Sequence, residues 1–154
     1  IPILLGYLER PISFISKVEV KKLPIIRDWM VYMNCVFLDR KDRRQAITAI
    51  NQGAENVKKG TSIVIFPEGT RSKGMKMNQF KAGSYKLAQK AEVPIVPIAI
   101  RGSFKIMEEN GNLIKPASVT VMILPAIEPK EYQNKDIKLL AAEVQEIIET
   151  ELAK

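Results

Sequence analysis

Apolar residues recur along the chain in two rhythms. Short continuous or alternating runs stand at residues 13–16, 36–38, 62–66, 95–100 and 119–124, and longer stretches between them place apolar residues three and four apart. The first rhythm predicts strands and the second helices. Their alternation predicts an α/β fold, a central and mainly parallel sheet flanked by helices. The helix after residue 42 is the best marked. Asp42 and Gln45 form a capping-box start, Ala46, Ile47, Ile50, Ala54 and Val57 follow at helical spacing, and Lys58-Lys59-Gly60 supplies a cationic end and a left-handed stop. A shorter helix is expected over about residues 82–91 and a last one over about 135–153, whose stripe Ile137, Leu140, Ala141, Val144 and Ile148 packs onto the sheet. Pro24 followed by Ile25, Ile26, Trp29, Met30 and Met33 predicts another helix, apolar over more than one face. Core packing is the first explanation for it, and contact with lipid or an acyl chain is the alternative. No repeat, low-complexity tract or linker interrupts the pattern, so a single domain over 1–154 is expected.

Composition narrows the chemistry. With 154 residues, 46% of them hydrophobic and 27% charged, the chain can bury a substantial core. It contains no histidine and one cysteine. The first absence excludes a Ser-His-Asp or Cys-His hydrolase, a His-ligated metal site and a His base within these residues. A lone Cys35 excludes an internal disulfide, a redox pair and a thiolate zinc site, and fits a reducing compartment. No signal peptide is visible, and no apolar run approaches the roughly 20 residues that cross a bilayer. The chain starts at Ile1-Pro2-Ile3-Leu4-Leu5 with no initiator Met, which reads as the interior of something longer.

Formal net charge is +7. From Asp136 to Lys154 there are five acids and two bases, so the rest of the chain holds 22 bases against 12 acids. Arg71, Lys73, Lys76, Lys81, Lys86 and Lys90 fall in a stretch without one acid, and Arg40-Lys41-Asp42-Arg43-Arg44 forms a second cluster. An anionic partner follows: nucleic acid, an acidic membrane surface or a phosphorylated small molecule, with a merely solubilising surface as the plain alternative. Nucleic acid is disfavoured, because no aromatic stacking platforms are interleaved with the cations.

The most informative stretch is Ser62-Ile63-Val64-Ile65-Phe66-Pro67-Glu68-Gly69-Thr70-Arg71-Ser72. The apolar run predicts a buried parallel strand that Pro67 ends, so the polar residues 68–72 fall at its carboxyl end, where ligands sit in open α/β sheets. Gly69 lets the backbone approach an anion, Thr70 offers a hydroxyl, and Arg71 offers a planar fork for two phosphate oxygens. The plain alternative is a polar strand-to-loop turn. Neither a P-loop nor a G-x-G-x-x-G element is present, so nucleotide binding has no support. Glu68, in so basic a loop, suits a structural or hydroxyl-binding role better than that of a base. Two other strand ends are cationic: Phe37-Leu38-Asp39-Arg40 just before the capped helix, and Phe14-Ile15-Ser16-Lys17.

These residues carry a resemblance. Phe66-Pro67-Glu68-Gly69-Thr70-Arg71-Ser72 resembles the third motif of the glycerolipid acyltransferases, Phe37-Leu38-Asp39-Arg40 the second and Val93-Pro94-Ile95-Val96-Pro97-Ile98 the fourth, in the family's order. Phe80-Lys81-Ala82-Gly83 matches the family's link between the last two. The resemblance covers essentially the whole chain and implies a glycerol-3-phosphate acyltransferase-like fold. It implies transfer of a fatty acyl group from acyl-CoA or acyl carrier protein to the free hydroxyl of 1-acyl-sn-glycerol 3-phosphate (lysophosphatidic acid), giving phosphatidic acid, without cofactor or metal. It places Lys17, Arg40, Glu68, Gly69, Thr70 and Arg71 in the acceptor site, with Arg71 and Lys17 on the phosphate. It also implies association with a membrane at its cytoplasmic face, and no nucleic acid.

One motif departs from the family. Its first element, N-H-x4-D, whose His is the general base and whose Asp orients it, is absent. The expectation is that this pair lies upstream of Ile1 and that residues 1–154 alone are inactive. The alternatives are a non-catalytic module for phosphate or anionic lipid, and a glycerol-3-phosphate acyltransferase.

Overall fold

The strand expected at residues 13–16 becomes β1, Ile12–Lys17, in a computed structural model that describes residues 1–39, 41–72 and 74–154. Ile12, Ser13 and Phe14 are buried, as a central strand covered on both faces requires. β2 (Val36–Leu38) and β3 (Ser62–Val64) run parallel to β1 on either side, in the order β2-β1-β3, with Ile15 opposite Val36, Lys17 opposite Leu38 and Phe14 opposite Val64. α1 (Pro2–Tyr7) precedes β1, and α2 (Pro24–Tyr32) links β1 to β2. α3 (Arg43–Lys58) is the crossover from β2 to β3 that a parallel pair needs, and α4 (Lys86–Ala91) packs on it. That approach depends on Gly53, where a Cβ would lie 2.5 Å from Leu87 Cδ1. Residues 1–65 with 86–91 make up this first compact unit.

Residues 66–85 with 92–154 make up the second. β4 (Ile98–Arg101) and β5 (Thr120–Ile123) pair antiparallel, with Ala99 opposite Met122. α5 (Pro129–Tyr132) starts with a capping box between Glu128 and Glu131, and its buried Tyr132 donates its hydroxyl to the Val93 carbonyl. α6 (Ile137–Ala153) buries Leu140, Ala141, Val144 and Ile148, which is the stripe its sequence shows apart from the half-buried Ile137. Gly102 takes φ +85° where a Cβ would lie 2.7 Å from the Ser118 carbonyl oxygen, so only glycine fits that turn.

The α/β architecture forms as the sequence pattern predicts, with four informative differences. β3 stops at Val64 instead of Phe66, because its pairing with β1 ends at Phe14. Pro94 and Pro97 lack ladder donors, so residues 95–97 contribute only the bridge between Ile95 and Ile127 before β4 begins. The helix over 82–91 opens as a 3₁₀ turn, Ala82–Tyr85, containing Gly83 and Ser84, both poor helix formers. In α2 no residue is buried, so core packing is not what its apolar side chains do.

Candidate functional site

In the second unit, the turn after Phe66 is built around one carboxylate. The Gly69 N–H donates to the Phe66 carbonyl at 3.1 Å, and the turn needs φ +72° at Gly69. The Pro67 carbonyl accepts from the Lys81 N–H at 2.9 Å, tying the turn to residues that follow it by more than ten positions. Glu68 Oε2 accepts from Ser72 Oγ (2.5 Å), the Asn78 N–H (2.8 Å) and Asn78 Nδ2 (3.0 Å). Charge-assisted bonds of this kind are the strong ones, and three on a single oxygen make Glu68 a brace.

Thr70 and Arg71 stand on the exposed side of that turn. Arg71 Nη1 meets Glu108 Oε1 at 3.2 Å, with 68% of the arginine side chain exposed against 15% for the glutamate. An ion pair so exposed on one side contributes about 1 kcal/mol or less, so an anion offering two oxygens can replace it. Beside the turn a cleft of about 630 Å³ is lined by Glu68, Thr70, Asn78, Lys81, Lys138 and Gln145 among others. Gln145 Oε1 accepts from the Phe80 N–H at 2.9 Å, fixing this wall to α6.

In the first unit, parallel pairing puts Lys17, the exposed last residue of β1, beside Leu38 at the carboxyl edge of the sheet. There Gln45 of α3 reaches back to the chain leaving β2: its Nε2 donates to the Phe37 carbonyl (2.8 Å) and its Oε1 accepts from the Asp39 N–H (2.6 Å). Asp39 Oδ1 in turn accepts from the Lys41 N–H at 2.8 Å. Asp42 caps α3 as expected, accepting from Arg44 N and Gln45 N, but the reciprocal half of the box is not made, since the Gln45 amide finds two backbone partners on the β2 exit. Arg40 and Lys73 lie outside the described residues.

Of the site residues expected from sequence, Glu68, Gly69, Thr70 and Arg71 share one turn of the second unit, and Lys17 lies at the sheet edge of the first. Sequence reasoning missed Asn78, Glu108, Lys138, Gln145 and Gln45 as a strand clasp. Asn78 had a faint signal, as an amide inside an otherwise cationic stretch; Glu108 had none. Cys35 is buried in the first unit, where its Sγ accepts from the Phe14 N–H at 3.3 Å and burial pushes its thiol above the ordinary value.

The first unit is a parallel sheet with Lys17 at its carboxyl edge and the second carries the braced Glu-Gly-Thr-Arg turn, and comparison supplies the class of protein. The acyltransferase family model matches residues 1–101, and the chain belongs to that family. Among curated relatives it is 35% identical over 145 residues to the "Probable 1-acyl-sn-glycerol-3-phosphate acyltransferase" of Mycoplasma genitalium, covering 90% of this chain and 54% of that protein. It is 32% identical over 134 residues to the 1-acyl-sn-glycerol-3-phosphate acyltransferase of Saccharomyces cerevisiae, covering 85% and 44%. The crystal structure of the 1-acyl-sn-glycerophosphate (LPA) acyltransferase PlsC from Thermotoga maritima superposes with a TM-score of 0.82 at 31% identity, covering 99% of this chain and 59% of that one. The chain thus spans about half the length of the curated relatives it matches.

Proposed function

We propose that the chain supplies the acceptor site of a 1-acyl-sn-glycerol-3-phosphate acyltransferase, which moves a fatty acyl group from acyl-CoA or acyl carrier protein to the free hydroxyl of lysophosphatidic acid and gives phosphatidic acid. The braced turn at residues 66–72 carries this reading. Glu68 is held by Ser72 and Asn78, and that leaves the Thr70 hydroxyl and the Arg71 fork presented on one short segment. In the second unit the acceptor's phosphate takes the place of Glu108 on Arg71, and Gly69 allows the backbone to approach it. The family resemblance adds Lys17 and Arg40 to the acceptor-binding residues.

Glu68, with three donors on one oxygen, orders the turn and does not take the acceptor's proton. Residues 1–154 contain no histidine and so supply no imidazole base; the family resemblance gives that role to the His of an N-H-x4-D element, oriented by its Asp. That base removes the hydroxyl proton as the oxygen attacks the thioester carbonyl; the carbon–sulfur bond then breaks, and the proton goes to the departing thiolate. No cofactor or metal enters the reaction. Because acceptor and product are lipids, the enzyme works as one domain at a membrane, on the cytoplasmic face.

The test is to extend the protein upstream to include the N-H-x4-D element and assay lysophosphatidic acid with acyl-CoA or acylated carrier protein. Acylation is expected, and an inactive protein with its His present overturns the reading. Acylation of glycerol 3-phosphate in preference to lysophosphatidic acid overturns the acceptor assignment. In the active protein Arg71→Ala should raise the acceptor KM about tenfold or more, the loss of one charge-assisted pair. The donor KM should move far less, and equal effects on both substrates remove Arg71 from the phosphate.

A further inference from the structure

The most exposed apolar feature of the molecule is α2. Ile25, Trp29 and Tyr32 recur at i, i+4 and i+7, so they form one stripe, and they are 81%, 72% and 85% exposed. Leu23, which precedes the helix, is 50% exposed, and only Met30 and Met33 in this stretch are half-buried. An outward stripe of this size is not left in water without a use. Its length decides how it can be used: nine residues span about 13 Å, well short of a bilayer's hydrocarbon core. Among the described residues no helix is long and apolar enough to cross a membrane.

Charge decides the occupant. At the N-terminal end of α2 stand the exposed Lys21 and Lys22. At its C-terminal end Tyr32 and Met33 border a groove of about 570 Å³ that also takes in Leu5, Arg10 and Lys59 and has no carboxylate among its lining residues. Of the two acids in the segment, Asp28 is occupied by Arg27 at 2.7 Å, leaving Glu19. An apolar centre with a Trp and a Tyr on it, and cations beyond both ends, matches the layering of an anionic bilayer surface, where acyl chains lie beneath aromatic-rich and then negatively charged headgroup levels. A second copy of the chain fits less well, because a two-fold contact through this face brings the Arg10 and Lys59 groove towards its own copy.

We propose that α2 lies in the plane of the membrane interface, with Ile25, Trp29 and Tyr32 among the upper acyl chains and anionic lipid headgroups in the groove beside Arg10 and Lys59. This names the docking surface for the membrane placement proposed above and rests on that placement, but not on the acyl-transfer reading.

Trp29 is the only tryptophan in the chain, so intrinsic emission reports on α2 alone. The 154-residue protein is mixed with vesicles of equal parts phosphatidylcholine and phosphatidylglycerol, then with phosphatidylcholine alone, and followed by co-sedimentation and by Trp29 emission. Binding to the mixed vesicles with a blue shift, quenching by brominated acyl chains and weakening by salt is expected. Ile25→Asp and Tyr32→Gln, at exposed positions and with unchanged circular dichroism, should each weaken partition about tenfold or more, and Arg10→Ala with Lys59→Ala should weaken the preference for anionic vesicles, an unchanged preference overturning the groove. Co-sedimentation without a Trp29 shift overturns this surface and leaves the membrane placement standing; no co-sedimentation removes both, while the acyl-transfer assay is unaffected. A blue shift that grows with protein concentration and needs no vesicles makes the occupant a second copy. Equal binding to phosphatidylcholine alone overturns the anionic lipid in the groove.

Discussion

Glu68 gathers a hydroxyl, a backbone N–H and a side-chain amide on one oxygen, so two parts of the loop, at Ser72 and at Asn78, depend on its charge. Removing it leaves the Asn78 N–H and the Ser72 hydroxyl short of a partner. Glu68→Ala is therefore expected to lower stability by about 1–3 kcal/mol and to speed exchange of the Asn78 amide, while Glu68→Gln, keeping one carbonyl oxygen but no charge, falls between. Urea unfolding and amide exchange measure both; wild-type stability and an unchanged Asn78 amide in Glu68→Ala would show that the brace is dispensable. Arg71 is the opposite case. Its contact with Glu108 joins two residues 37 apart in a pair exposed on the arginine side, so its loss should cost the fold about 1 kcal/mol or less and the acceptor more.

Between β2 and α3 a single amide joins two elements, because a glutamine side chain can donate and accept at once, as a neighbouring strand's backbone does. Gln45→Glu keeps the acceptor for Asp39 N–H but turns an oxygen towards the Phe37 carbonyl. We expect it to be less stable than Gln45→Ala, each losing about 1–3 kcal/mol, as read from chemical denaturation. If Gln45→Glu is the more stable of the two, the amide does not clasp the strand as its geometry indicates. The same joint marks how far the sequence was legible. Asp42 and Gly60 follow from local rules, and the structure keeps them, whereas the α3 stripe is rotated from its expected face: Ala54 is buried, Ile47 is 55% exposed, and Ala49 and Gly53 are buried beside Ala54. Gln45 was visible as a polar residue three past a cap, but its actual partners depend on where β2 ends against β1, which is a tertiary fact. The α6 stripe was legible because helical spacing alone sets which face is buried. α2 shows the reverse limit: periodicity reveals an apolar face without saying whether protein or lipid will cover it. In the turn at residues 66–72 the chemistry-bearing residues were legible from their types, whereas Asn78 and Glu108 were brought to it by the path of the loops.

Across the whole molecule, the absence of histidine removes the side chain whose ordinary titration falls between about pH 5 and pH 8, so no imidazole term can tilt stability there. The buried acids that do shift are weak ones. Burial raises the Cys35 thiol in the first unit above its ordinary 9.0, and in the second it raises the Tyr85 and Tyr132 phenols above 10.0. In each, the folded state keeps its proton after the unfolded chain has begun to lose it. Above about pH 9 the unfolded state therefore binds fewer protons than the folded one, and unfolding becomes easier as pH rises. That stability is fully present below the unfolded values and declines above them until the folded groups ionise in turn. Urea midpoints under reducing conditions should fall steadily from about pH 9 towards pH 11. Tyr85→Phe, which cannot ionise, should flatten the part of the slope that begins near the ordinary phenol value. If the slope of Tyr85→Phe matches that of the wild type, the burial of Tyr85 does not govern the alkaline limb.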